Sequence, residues 1–506
     1  METIRVRKLN HANFEITCDS GTAQELNEFF SFYVPGYKFM PAYRNRMWDG
    51  KIRLFTLRDR TLPAGLFYHL SEFCEKRGYE LESESSKYGA PDARNTITQD
   101  DLSLFLEGLN LPFNLRPYQF GCIGEALTRK RAILLSPTGS GKSYIIYNVI
   151  RYWLARLKNE YIGYVMGGKE YPKAGRALIV VPTTSLVEQM HSDFLDYGWA
   201  EGAMHRIYSG KDKDNIEAAC VITTWQSVYK LQKKWFEQFG LVVGDECHNF
   251  KSKSLMNIMN KCTEAEYRYG TTGTLDGSQT HELVLQGLFG KTYKVTTTRK
   301  LQDNDTLAKL SIRRLVLDYG QEVRKDFGKQ TYQDEIDFIV GHEKRNKFIR
   351  NLAVDLKGNT LVLFNYVDKH GKPLFNLIRD KADENRKVFF VSGGTDVSDR
   401  EAIRSIVEKQ NDAIVVASLG TFSTGINIKE LHNIIFASPS KSQIRVLQSI
   451  GRGLRKSSDG RKTWLYDISD DLSWKSRKNF SLLHSWERLK IYQKEEFEYN
   501  TVEVSI

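Results

Sequence analysis

Residues 136–143 read SPTGSGKS, and they follow an apolar run, Ala132–Leu135, and precede a second apolar segment. This order is typical of a buried strand, a glycine loop and a helix. Gly139 and Gly141 permit a tight backbone path on which successive N–H groups can point at one anion. We therefore expect a phosphate-binding loop here, although Ser136 stands where the general pattern has glycine.

The residue types in this loop indicate a nucleotide and a metal ion. Lys142 is placed to reach the β- and γ-phosphates, Ser143 can put its hydroxyl on Mg²⁺, and the positive end of the following helix completes the anion site. ATP and Mg²⁺ are therefore the expected cofactors. The loop residues expected to bind the nucleotide are Pro137, Thr138, Gly139, Ser140, Gly141, Lys142 and Ser143.

A second apolar strand ends in acidic residues. Residues 239–249 read FGLVVGDECHN, so the run Leu241–Val243 leads to Asp245 and Glu246. Ligand groups gather at the carboxyl ends of parallel strands. Asp245 is expected to hold Mg²⁺ together with Ser143, and Glu246 to orient or deprotonate the attacking water. A solvated acidic strand end is the alternative, but the lysine loop upstream favours a nucleoside triphosphatase.

Composition restricts the class of protein. The chain has 506 residues, 41% of them hydrophobic, which is enough for about three domains with real cores. No apolar segment approaches the roughly 18 to 20 residues of a membrane helix, and the amino terminus is not a secretory signal. The six cysteines form no C-x-x-C pair. We expect a cytoplasmic protein with no membrane partner.

The net charge of +11 suggests a polyanionic partner, and the charge is concentrated near the amino terminus. Basic residues alternate with aromatic residues from Gly36 to Arg60, a pattern that supplies charge for phosphates and rings for bases. The alternative is a small aromatic core coated by charges. We expect Phe39 and Phe55 to be core residues. The expected phosphate contacts are Arg44, Arg46, Lys51 and Arg53.

Strand-like runs alternate with helical segments along most of the chain, which predicts parallel sheets with right-handed crossovers. In the first half these runs are Ala132–Leu135, Ala177–Val181, Cys220–Thr223, Leu241–Val243 and Tyr267–Thr271. In the second half they are Thr360–Phe364, Val388–Val391, Ala413–Ala417, Ile434–Ala437 and Thr463–Tyr466. The second half has no glycine–lysine loop, so we expect it to repeat the architecture without a nucleotide site of its own.

We divide the chain into five parts on these patterns. A small α+β domain that binds nucleic acid is expected over residues 1–85, followed by a polar linker over 86–112. The motor domain with the ATP site spans 113–310, and the second motor domain spans 311–467. Aromatic residues at near-helical spacing predict a helical extension over 468–506, packed as core rather than as a DNA-separating or docking element.

The motifs together resemble the DExH-type helicases of superfamily 2 over about residues 113–467. The resemblance implies two tandem RecA-like domains in an α/β fold and an ATP-dependent helicase. It implies that Gln119, in LRPYQ, contacts the adenine base. Thr183, in VVPTTSLVEQM, and Thr224, in ITTWQS, would contact the nucleic-acid backbone. His248, Thr272 and Thr274 would couple hydrolysis to movement, although YGTTGT departs from the commoner S-A-T.

The second half carries the later motifs of the same superfamily. ASLGTFSTGINI includes Gly425, which the resemblance assigns to the nucleotide site. QSIGRGLR supplies the catalytic candidates Gln448, Arg452 and Arg455. The two arginines are three residues apart, so on a helix both guanidinium groups can face the γ-phosphate.

A closer resemblance covers the whole chain, through YVPGYKFMPAYRNRMWDGKIRLF, DECH and GLFG, to the recombination helicases of T-even phages. It implies a monomeric helicase for branched or forked DNA and RNA–DNA hybrids, acting in recombination, repair and replication in the host cytoplasm. Single-strand-binding and recombination proteins are candidate partners. The residues leave open a duplex translocase, a strand-annealing ATPase and an RNA helicase. A scaffold with a degenerate ATP site is a further alternative.

Overall fold

The computed structural model describes residues 2–83, 97–166, 174–208, 213, 218–250, 252–275, 278–304, 307–327, 330–425, 428, 431–438, 450–451 and 462–506. The chain forms two compact units. The first contains residues 1–136 and 141–295, and the second contains 137–140 and 296–506.

The first unit begins with six short strands. They are β1 (Thr3–Lys8), β2 (Asn13–Thr17), β3 (Ser31–Tyr33), β4 (Lys51–Arg53), β5 (Thr61–Pro63) and β6 (Glu80–Glu82). Four of them pair in the order β5-β2-β1-β6, and β3 and β4 form a separate antiparallel ribbon. Helices Ser20–Phe29, Pro41–Arg44 and Phe67–Arg77 accompany them. The predicted α+β fold of this segment is confirmed.

This accessory domain packs directly on the parallel sheet that follows in the same unit. A Cβ on Gly65 would lie 2.0 Å from the carbonyl oxygen of Gln286, so the two backbones touch. Leu283 and Val284 belong to the same apolar core as the accessory domain. The Arg131 guanidinium also donates to the His11 carbonyl over 2.7 Å. These contacts join the accessory domain firmly to the first motor domain.

Seven described strands form the parallel sheet of the first motor domain. They are β7 (Arg131–Leu135), β8 (Arg176–Val181), β9 (Met204–Ile207), β10 (Cys220–Thr224), β11 (Phe239–Asp245), β12 (Tyr267–Thr272) and β13 (Thr292–Lys294). Their order is β13-β7-β12-β11-β8-β10-β9. All five runs predicted as strands are present, whereas β9 and β13 were not predicted. Apolar residues such as Ile133, Leu178 and Val242 are completely buried because helices cover both faces.

Eight helices are described around this sheet. They are Gln99–Gly108, Pro117–Arg129, Lys142–Met166, Thr184–Asp196, Trp225–Val228, Lys233–Phe236, Lys253–Lys261 and Gln279–Phe289. The first lies within the segment expected as a polar linker. Its Leu102 and Leu106 are buried in the core of the first motor domain, so the described part of this segment is structured.

The second unit repeats the parallel architecture. Its described strands are β14 (Leu310–Asp318), β15 (Thr360–Phe364), β16 (Val388–Val391), β17 (Ile414–Ser418), β18 (Asn433–Phe436), β19 (Thr463–Asp471) and β20 (Glu498–Ser505). Their order is β16-β17-β15-β18-β19-β14-β20, and every pair is parallel. The described helices are Thr298–Asp303, Gln321–Asp326, Tyr332–Gly341, Glu343–Asp355, Lys372–Lys381, Val397–Lys409, Leu419–Gly425 and Phe480–Lys494. The predicted pair of RecA-like domains is confirmed.

The carboxyl-terminal segment belongs to this second sheet. The expected helix is present, and its buried Arg488 forms an ion pair of 2.6 Å with the buried Asp467 of β19. Beyond the helix, β20 pairs with β14 along eight residues, a strand that the sequence analysis did not predict. Within the described residues, no helix combines the length and the apolar character needed to cross a bilayer.

Candidate functional site

The predicted site residues of the first motor domain converge on one edge of its sheet. Because all the strand pairs are parallel, the carboxyl ends of β7, β8, β10, β11 and β12 lie at the same edge. The phosphate-loop candidate follows β7, and Asp245 ends β11. Thr183 comes just after β8, and Thr224 ends β10. Residues far apart in the chain are thus brought together.

The loop after β7 has the backbone expected of an anion cradle. Gly139 and Gly141 have φ angles of 83° and 80°, which L-residues with side chains rarely adopt. Lys142, the first residue of the helix, donates to the Ser136 carbonyl over 3.2 Å. The ammonium group therefore lies across the mouth of the loop, where phosphates would replace the carbonyl as its partner.

Gln119 lies beneath this loop. It is buried, and its side-chain oxygen accepts a hydrogen bond of 2.9 Å from the Arg116 backbone N–H at the start of the helix Pro117–Arg129. A Cβ on Gly141 would lie 2.5 Å from Gln119 Nε2, so the amide and the loop are in close contact. The side chain is positioned beside the loop by its helix-capping bond.

Asp245 and Glu246 form a pair of acids at the end of β11. Asp245 is buried, and Thr271 of β12 donates a 2.6 Å hydrogen bond to its Oδ1. Burial and then the neighbouring Glu246 charge raise the pKa of Asp245, while Lys142 opposes the shift. Glu246 has a left-handed backbone with φ of 48°, a conformation uncommon outside glycine and frequent at functional sites.

The three coupling candidates are joined to one another by hydrogen bonds, and His248 also lies close to Glu246. The Thr272 hydroxyl donates to the Thr274 carbonyl over 2.9 Å. Since that uses its one proton, the 2.9 Å contact with His248 requires His248 Nδ1–H to be the donor. His248 Nδ1 also lies 3.3 Å from Glu246 Oε2. A change at the acid pair can therefore reach Thr274 through contiguous contacts.

Two contacts of this site were not predicted from the sequence. Thr271 holds Asp245, yet the motif pattern singled out only the two later threonines. Tyr197 forms a 3.0 Å hydroxyl contact with Ser143, the expected magnesium ligand. Burial raises the pKa of Tyr197 to about 12, so its hydroxyl keeps its proton. Neither partner could be identified without knowing which strands and helices are neighbours.

The residues present fit ATP and Mg²⁺. The loop offers backbone N–H groups and an ammonium to phosphates, and Asp245 with its raised pKa is a carboxylate that a cation would stabilise. No cluster of three or more histidine, cysteine or acidic residues suited to a metal exists among the described residues. Mg²⁺ takes one or two protein ligands and fills its shell with phosphates and water, and Ser143 and Asp245 are the two candidates here.

The two threonines of the first motor domain that are candidates for contacting nucleic acid are partly or fully buried. Thr183 caps the helix Thr184–Asp196, with its hydroxyl accepting from the Leu186 N–H at 3.4 Å. Thr224 is buried, and its hydroxyl lies 2.9 Å from that of Ser227. Both lie at the edge of the sheet where the strands end, and their contact with nucleic acid remains a prediction.

The basic residues of the accessory domain differ in their surroundings. Arg53 forms an ion pair with Asp49, and the Lys51 ammonium lies 4.9 Å from the centre of the Tyr33 ring. The guanidinium groups of Arg44 and Arg46 have no hydrogen-bond or ion-pair partner within the described residues. Their charge is therefore available to a ligand.

The two phenylalanines expected in the core also differ. Phe55 is 1% exposed, which confirms the expectation. Phe39 is 84% exposed, so its assignment to the core was wrong. It lies in a short turn of 3₁₀ helix, Tyr37–Phe39, in which no residue is buried.

Three catalytic candidates, Gln448, Arg452 and Arg455, lie outside the described residues. Gly425 is the last residue of the helix Leu419–Gly425 in the second unit. Their assignment to the nucleotide site stays a prediction.

Comparisons with known proteins cover every part of the chain described above. Three family models match: "DNA helicase UvsW, N-terminal" at residues 3–84, "Type III restriction enzyme, res subunit" at 112–277, and "Helicase conserved C-terminal domain" at 343–457. The ATP-dependent DNA helicase uvsW of Enterobacteria phage T4 is 34% identical over 98% of both chains.

More distant similarities cover about two thirds to three quarters of the chain. The DNA 3′-5′ translocase XPB2 of Sulfurisphaera tokodaii is 23% identical over 68% of this chain and 79% of its own. The solved structure of the ATP-dependent type ISP restriction-modification enzyme LlaBIII bound to DNA is 15% identical, with a TM-score of 0.54. It covers 78% of this chain and 32% of its own, and this likeness concerns the fold alone.

Proposed function

Because the chain belongs to the UvsW family of ATP-dependent DNA helicases in superfamily 2, we propose that it unwinds or branch-migrates branched DNA. The proposed substrates are four-way junctions, stalled forks and RNA–DNA hybrids of R-loops, in recombination, repair and replication. One observation carries the proposal: the accessory domain packs firmly on the motor domain that holds the ATP-site candidates. The accessory domain also carries surface arginines whose guanidinium groups are unpaired within the described residues. Such a domain can hold one arm of a junction while the motor moves on another.

The proposed chemistry uses the edge of the first parallel sheet. The loop and Lys142 bind and orient the phosphates, and Glu246 orients the attacking water or accepts its proton. Ser143 and Asp245 are the proposed ligands of Mg²⁺, which when bound neutralises charge on the phosphates. Arg452 and Arg455 are proposed to add positive charge at the γ-phosphate, where such arginines are worth on the order of 10³ to 10⁵ in rate.

The contacts of His248 support a route from hydrolysis to movement. Its hydrogen bond to Thr272, and that of Thr272 to Thr274, connect the acid pair to the end of β12. Thr183 and Thr224 are proposed to contact the sugar–phosphate backbone at the same edge. We propose a monomer that acts in the cytoplasm of the host cell and works with single-strand-binding or recombination proteins.

Steady-state ATP hydrolysis tests the proposal when it is measured at one salt concentration without nucleic acid and with four ligands. The ligands are single-stranded DNA, linear duplex, a four-way junction and an RNA–DNA hybrid, with strand products followed in parallel. Strong stimulation by the junction with product strands is expected, and Lys142→Ala serves as the inactive control. Equal stimulation by linear duplex without strand separation would instead identify a duplex translocase.

A further inference from the structure

A projecting segment of the accessory domain carries features that the ATP-driven motor does not use. This segment, which we name the N-terminal tip, comprises residues 33–53 between and including parts of β3 and β4. Its turns are held by backbone hydrogen bonds such as Val34 N–H to the Gly50 carbonyl at 2.9 Å. Gly50 has φ of 82°, and a Cβ there would lie 2.3 Å from the Tyr37 ring, so the packing demands glycine.

Stacked aromatic rings give the tip a fixed shape. The ring centres of Tyr33 and Tyr37 are 4.6 Å apart and stacked, and Tyr43 meets Tyr37 edge-on at 4.7 Å. The Trp48 indole N–H donates to the Lys51 carbonyl over 2.8 Å. These four rings have partners within the tip and therefore serve as its scaffold.

Two apolar side chains project from this scaffold. Phe39 is 84% exposed and Met47 is 77% exposed. A segment whose four other rings contact one another or hydrogen-bond within it, while a phenylalanine and a methionine lie in water, presents these two side chains to a ligand. Both side chains suit the faces of unpaired bases, because every base offers a π-face and a thioether packs well against aromatic rings.

The charge around these side chains selects the ligand. Lys38, Arg44, Arg46, Met47 and Trp48 line a shallow concavity of about 600 Å³ in the tip, together with Tyr43 and Asp49. Asp49, the acidic residue of this lining, is already paired with Arg53. The lining thus combines three basic residues with the exposed Met47, and Phe39 follows Lys38 in the chain. Positive charge together with exposed apolar surface is the combination that a nucleic-acid strand with phosphates and exposed bases requires.

We propose that Phe39 and Met47 stack on unpaired bases next to the branch point and hold the strands apart, while Arg44 and Arg46 bind the adjacent phosphates. This inference rests on the proposed function, because it names the element that separates strands on a branched substrate. The motor would supply movement, and the tip would prevent the bases from pairing again.

The test separates stacking from charge in the full-length protein. The wild type and the double variant Phe39→Ala/Met47→Ala are compared without ATP. The affinity of each protein for a fork with unpaired arms and for a blunt duplex is measured at several salt concentrations. Stacking predicts about 10-fold weaker binding to the fork, unchanged binding to the duplex and an unchanged salt slope. Leu104→Ala, at a residue 73% exposed on the helix Gln99–Gly108, is the matched control and is expected to behave as the wild type.

A second readout reports on the bases themselves. With 2-aminopurine at the first unpaired position of the fork, the wild type is expected to change its fluorescence on binding and the double variant is not. The inference is overturned if the double variant matches the wild type in both fork affinity and fluorescence, as it would if the tip instead bound an acidic protein. Neither readout needs strand separation, so a wild type that fails to unwind would refute only the proposed function.

Discussion

Thr271→Val examines the hydrogen bond that holds Asp245 in the proposed ATP site. The change conserves shape but removes the hydroxyl that donates to Asp245 Oδ1 over 2.6 Å. A hydrogen bond to a charged group is worth about 1.5 to 3 kcal/mol. Since each 1.36 kcal/mol corresponds to about tenfold in rate, DNA-stimulated ATP hydrolysis is expected to fall about 10- to 100-fold. The loss should be larger at low Mg²⁺ because an unsupported carboxylate binds the ion less well.

The assay is steady-state hydrolysis at saturating DNA over a series of Mg²⁺ concentrations, together with the midpoint of thermal unfolding. Thr271→Ser restores the donor and should recover most of the activity. Thr223→Val is the matched control, because Thr223 is also a buried strand threonine but donates to the Ile207 carbonyl at 3.0 Å. If the folded Thr271→Val variant keeps activity within about twofold of the wild type, the reasoning is refuted, because a twofold loss corresponds to only about 0.4 kcal/mol.

Three further predictions address other parts of the molecule. Lys142→Ala should abolish ATP turnover while DNA affinity stays near the wild type, and strong DNA-stimulated hydrolysis by this variant would exclude its phosphate role. Arg44→Gln/Arg46→Gln should lower the slope of log affinity against log salt by about 1 to 2, whereas Arg53→Gln, already ion-paired, should change it less. Burial lowers the pKa of His370 to about 3, so the folded state keeps it neutral while the unfolded state takes up a proton below about 6.5. The free energy of unfolding should therefore fall by up to about 1.4 kcal/mol for each pH unit below about 6.5. In His370→Gln the unfolding temperature should decrease less between neutral and acidic pH than in the wild type.

Much of the motor architecture could be predicted because local patterns coincide with the final structure. The apolar runs that end at Ser136 and Asp245 are strands, and the glycine loop connects to a helix. The strand β20 escaped prediction because EYNTVEVS is almost entirely exposed and carries no buried face to mark it. Its place in the sheet depends on pairing with β14, which the local sequence does not encode.

Contacts between distant residues were the less predictable part of the site. Thr271 reaches Asp245 only because β12 lies between β7 and β11, an order that chain position does not reveal. Phe39 and Phe55 have the same side chain in the same basic and aromatic stretch. Phe55 is buried under the accessory sheet and Phe39 projects from a turn, so composition could not distinguish them.

The pairing of β20 with β14 also fixes when the second domain can be finished. Ser311 and Glu498 are partners in adjacent strands although 187 positions separate them. During synthesis β14 emerges from the ribosome long before β20, and until then one of its edges presents unpaired N–H and C=O groups. A nascent chain interrupted between these strands therefore leaves this edge of β14 unpaired, and we expect such a fragment to be prone to pairing with other chains.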